Sequence, residues 1–101
     1  MAKRKIIWSR TAELDMFDIM YFYTERNKSK TYSNKLYQEI NTKLRILDFK
    51  IALPQKTSVE GLFYFTHNHI SVFFILELNI MTVKFIIDER RSPKKIKNLI
   101  K

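Results

Sequence analysis

The chain changes texture at Pro54, and that change limits the architectures open to it. Before Pro54, apolar residues recur at helical spacing. After it, short β-branched and aromatic runs alternate with two-residue joints. A helical half followed by a strand-rich half, within 101 residues, specifies a single α+β domain over residues 1–101. Glycine occurs once (Gly61) and proline twice (Pro54, Pro93), so no flexible linker or low-complexity tract divides the chain.

Residues 3–8 (KRKIIW) read as a short strand. Ser9 offers a capping hydroxyl, and Glu13 and Asp15 follow in the first turns, where the helix dipole favours acids. Leu14, Phe17 and Tyr21 form one helical stripe, and Ala12, Met16, Ile19, Met20 and Tyr23 a neighbouring one. The period predicts a helix over 10–26 with its aromatic stripes in the core. NKSK (27–30) is a polar joint, with Ser29 or Thr31 as the next cap. Leu36, Ile40, Leu44 and Leu47 carry a second helix, ending near Asp48 to Lys50. A joint this short makes an antiparallel two-helix hairpin.

Residues 61–66, 69–77 and 80–88 predict a three-stranded antiparallel meander. His67-Asn68 and Leu78-Asn79 are its two connections, the asparagines being suited to positive φ. On the central strand, Ser71, Phe73, Ile75 and Glu77 share one face, and Ile70, Val72, Phe74 and Leu76 the other. Both faces are largely apolar, so the helices should cover one and a further element part of the other. Ser92 and Pro93 then open a short C-terminal helix with Ile96, Leu99 and Ile100 on one side.

With 46% hydrophobic residues the chain is no disordered tail. The absence of cysteine removes disulfides, thiolate metal sites and a cysteine nucleophile. No apolar run reaches membrane-spanning or signal-peptide length, so the expected setting is a reducing cytoplasm without a membrane partner. His67 and His69 flank a turn and are too few for a zinc site; the simpler reading is two turn histidines near solvent. One glycine cannot build a phosphate loop. No metal or cofactor is expected.

The formal charge is +9, from 19 Lys and Arg against 10 Asp and Glu. Residues 6–89 are formally neutral. The surplus lies at Lys3, Arg4 and Lys5, and at Arg90, Arg91, Lys94, Lys95, Lys97 and Lys101. Basic ends on a neutral body suggest an acidic or polyanionic partner, with Lys3, Arg4, Lys5, Arg90, Arg91, Lys94 and Lys95 as candidate contacts to a target or nucleic acid.

The order of elements, together with IIWSRTAELD (6–15), EG (60–61), HISVFF (69–74) and the closing DERRSPKKI (88–96), resembles the RelE/ParE superfamily of bacterial type II toxins. The resemblance implies a helical hairpin packed on a twisted antiparallel sheet, and a small acidic antitoxin encoded next to the toxin. RelE-like members cut messenger RNA on the ribosome without a metal; ParE-like members inhibit DNA gyrase. Where the nucleases carry two lysines and a central-strand arginine, this chain has Leu62, Tyr64 and Ser71; only Arg90 matches a nuclease cation. Tyr64 or His67 would be the candidate proton-transfer groups beside Arg90. The resemblance therefore implies a ParE-like toxin acting by binding a target such as DNA gyrase. The alternatives are a metal-independent mRNA interferase acting at the ribosome, and a toxin that binds only its antitoxin.

Overall fold

The computed structural model describes residues 5–46 and 55–99. In chain order they form β1 (Lys5–Trp8), α1 (Arg10–Asn27), α2 (Thr31–Ile46), β2 (Gln55–Lys56), β3 (Phe63–His67), β4 (Ile70–Glu77), β5 (Ile80–Asp88) and α3 (Pro93–Leu99). Lys3, Arg4, the expected helix end near Asp48 to Lys50, and Ile100 with Lys101 lie outside the described residues.

One five-stranded sheet has the order β1-β5-β4-β3-β2. Its centre is the expected antiparallel meander of β3, β4 and β5. β1 lies parallel to β5, with Lys5 opposite Ile80 and Trp8 opposite Val83. β2 adds a two-residue edge against β3, too short for any periodicity to announce it.

Ser9 caps α1 as expected: its Oγ accepts the Ala12 N–H at 3.1 Å. α1 ends on Lys28, which takes the left-handed conformation (φ 55°) and donates its N–H to the Thr24 carbonyl. The Ser29 hydroxyl then accepts from the Thr31 N–H at 3.2 Å, opening α2.

Only one of the two α1 stripes is core. Ala12, Met16, Ile19 and Tyr23 are buried, whereas Leu14, Phe17 and Tyr21 are 55%, 70% and 61% exposed. At about 100° per residue the two sets point nearly opposite ways, and a single sheet can cover one of them. The buried set meets Leu36, Ile40 and Leu44 of α2 and, from the sheet, Phe65, Ile70, Val72, Phe74, Met81 and Val83. The opposite sheet face carries a smaller cluster of Leu62, Tyr64, Phe73 and Ile87, roofed by Ile96 and Leu99 of α3. The last turn of α3 is pinned to the loop after β2: Ser58 donates its N–H to the Leu99 carbonyl (2.7 Å) and its Oγ–H to the Asn98 carbonyl (3.0 Å).

A β-bulge sits in β5. Phe73 pairs with Phe85 but Phe74 pairs with Val83, leaving Lys84 as the extra residue. Two residues near the start of the chain satisfy the backbone groups beside it. Ser9 Oγ donates to the Lys84 carbonyl at 2.7 Å, and Asp15 Oδ2 accepts the Ile86 N–H at 3.1 Å. The bulge also resets the strand's phase. Met81 and Val83 face the helices; beyond Lys84, so do Ile86 and Asp88. Strict alternation would have sent Asp88 to the other face.

Both hairpins use two-residue loops. The first is Asn68-His69, one residue later than expected, with Asn68 at φ 56°. In the second the positive φ falls on Leu78 (φ 54°), not on Asn79. Leucine in that conformation is strained by about 1–2 kcal/mol, and Leu78 is fully exposed, so packing offers no compensation. Leu78→Asn should therefore raise stability by about 0.5–1 kcal/mol, read as a higher urea midpoint with an unchanged slope.

Candidate functional site

The resetting of β5 brings Asp88 under a cleft between the end of α1, the start of α2 and the first hairpin loop. Asp88 is 4% exposed. Its Oδ2 accepts the Tyr23 hydroxyl at 2.7 Å, and its Oδ1 accepts His69 Nδ1–H at 2.9 Å and the Arg90 N–H at 3.0 Å. On the other side of the imidazole, Nε2 lies 2.9 Å from the Tyr32 hydroxyl. The chain of contacts therefore runs from a buried carboxylate through His69 to a half-buried phenol. A carboxylate accepts only, which places a proton on Nδ1. In the neutral ring Nε2 is then an acceptor, and Tyr32 donates to it.

Burial, and next the bond to Asp88, push the Tyr23 phenol well above its ordinary value of 10.0. Tyr23 is thus a fixed donor. A folded-state pKa raised above the unfolded one means that the unfolded chain loses this proton first, so stability falls as pH climbs past about 10. Tyr23→Phe should remove that part of the slope while lowering stability by about 1–3 kcal/mol at neutral pH. Urea unfolding of both proteins at neutral pH and above pH 10 separates the two effects.

Above this floor the cleft is open to solvent and has a volume of about 730 Å³. Arg26 and Asn27 form the α1 wall, Asn68 the hairpin rim, and Glu89 and Arg90 the wall beyond β5. The Glu89 carboxylate is engaged by Ser71 Oγ at 2.9 Å.

The sheet face beneath α3 is of a different kind. Phe73 is fully buried there, its ring stacked 4.7 Å from Phe85 and 5.5 Å from Tyr64. Leu62, Tyr64 and Ile87 complete an apolar patch. Ser71 is fully buried at its edge, 3.3 Å from Thr66 Oγ1.

No protein-family model matches the chain, and no curated protein matches it in sequence. A solved structure described as "Chromosomal ParDE TA system from P. aeruginosa" does match in three dimensions, with a TM-score of 0.66 at 18% sequence identity, covering 85% of this chain and 96% of that one. The chain has a RelE/ParE-like fold.

Within this fold, the positions where the nuclease pattern puts lysines and a central-strand arginine belong to the apolar patch and its edge: Leu62, Tyr64 and Ser71. Arg90 opens instead into the cleft beside Tyr23 and His69. Tyr64 and His67 do not come together. Tyr64 lies on the α3 side, while His67 pairs with Glu39 of α2 at 3.3 Å on the other side. His69 does lie in the turn, but not near solvent: it is 7% exposed and held by Asp88 and Tyr32. Tyr23 sits on the buried stripe of α1, and a phenol there requires a polar partner, a signal that leads to Asp88. Arg91 spans to Asp18 Oδ2 (3.2 Å) and lies over the Phe22 ring. Lys5, Lys94 and Lys95 are exposed; burial pushes the Asp15 carboxyl above its ordinary range, against the Ile86 N–H and the nearby Lys95 charge, which pull it down.

Proposed function

We propose that this protein is the toxin of a type II toxin–antitoxin pair, ParE-like in action: it binds a target, DNA gyrase first among the candidates, and is neutralised by an acidic antitoxin encoded beside it in the cytoplasm. The observation that carries this reading is the sheet face under α3. A RelE-type nuclease uses that face to hold phosphate and stabilise developing charge. Here Leu62, Tyr64, Phe73 and Ile87 fill it with hydrocarbon and rings, and Ile96 and Leu99 close it. The fold shared with the ParDE system adds to the reading. Among the described residues, no helix is long and apolar enough to cross a membrane.

The test is induced expression with and without the adjacent short reading frame, followed by a supercoiling assay and a check of message integrity. Growth arrest relieved by the neighbour, with gyrase inhibited and messages intact, is the expected result. Ribosome-dependent message cleavage that disappears in Arg90→Ala would replace this reading with the interferase one. Absence of any arrest, with stable binding to the neighbour's product, would leave a protein that binds only its antitoxin.

A further inference from the structure

We propose that the cleft over His69 binds the phosphate of a nucleotide, either free or within a single strand, between Arg26 and Arg90. This does not rest on the toxin reading. The three arginines near this end of the molecule, Arg26, Arg90 and Arg91, differ in employment. Arg91 is committed to Asp18 and to the Phe22 ring. Among the described residues, neither Arg26 nor Arg90 has an ion-pair partner, and both line the cleft, Arg26 from the end of α1 and Arg90 from the turn after β5. Glu89, the acid in the cleft lining, is partly buried and accepts the Ser71 hydroxyl. The cleft therefore keeps two available guanidinium forks.

A planar carboxylate matches one fork edge to edge. A tetrahedral phosphate presents more acceptors and can take forks from two sides. The open cleft, about 730 Å³, is more than a bare phosphate fills and leaves room beside it for the attached sugar and base. The Asn27 and Asn68 side chains at the rim supply further donors and acceptors of the kind that base edges use.

The experiment is calorimetric titration of the intact protein with uridine 5′-monophosphate and with a short single-stranded RNA. Saturable binding of either supports the proposal; the mononucleotide indicates a free ligand, and the strand alone a nucleic acid. Arg26→Gln and Arg90→Gln, both exposed, should each weaken binding about tenfold or more, while Arg45→Gln at the far end of α2 leaves it unchanged. Circular dichroism of each variant confirms folding. No saturable binding of either nucleotide probe overturns the proposal. So does unchanged affinity in both arginine variants, or occupation of the cleft by a glutamate-rich peptide that nucleotides do not displace.

Discussion

Asp88→Ala should lower the unfolding free energy by about 3–5 kcal/mol. For a domain of this size that is a fall in Tm of roughly 15–30 °C. The carboxylate is the shared acceptor for the Tyr23 hydroxyl, His69 Nδ1–H and the Arg90 N–H. Alanine leaves those donors without their shared partner at a position that is only 4% exposed. Asp88→Asn should lose much less. Its oxygen still accepts from His69 and Arg90, and its amide meets a Tyr23 hydroxyl that can rotate to accept. Thermal and urea unfolding of the two variants gives the comparison. An alanine variant that melts within about 3 °C of the parent would mean that the network contributes little to the fold.

Phe74→Ala is the second large effect, expected to cost about 3–5 kcal/mol. Phe74 is fully exposed to packing and not at all to solvent, with Phe63 and Phe65 of β3 about 6 Å away. It sits where α1, α2 and the sheet meet, so no single element can settle into the vacated space. A domain of this length has about 5–15 kcal/mol in total. The variant should therefore unfold at markedly lower urea, and partly unfold near body temperature. Phe74→Leu should recover more than half of the loss. Equal losses from alanine and leucine would show that ring-specific contacts, rather than filled volume, hold this position.

The features legible in the sequence were those with a period. Leu36, Ile40 and Leu44 announce α2, and the runs after Gly61 announce the meander, because each buries one face against the same core. The strand faces read from Ile70, Val72 and Phe74 against Phe73 and Ile75 match the two clusters. The failures came where one residue breaks a period or where a partner is distant. Lys84 is a single inserted residue, yet it decides which face Asp88 occupies. The Leu14, Phe17 and Tyr21 stripe is as regular as its buried neighbour, and only the position of the sheet chooses between them. Of the candidate site residues, Arg90 lies in the cleft. Its companions there, Tyr23, Tyr32 and His69, come from three separate segments that no local spacing relates.

The pairing of β1 with β5 has a consequence for the newly made chain. Lys5 finds its strand partner at Ile80, and Ser9 finds the carbonyl it serves at Lys84. Both must wait while everything between them emerges from the ribosome, at about 5–20 residues per second. Throughout that interval the apolar face of the α1–α2 hairpin has no sheet to cover it. Such distant pairing also slows closure once the whole chain is free, because the loop entropy must be met before the contacts form. The interval is a period of several seconds in which an incomplete chain is open to chaperones and proteases, and it ends only when β5 has been made.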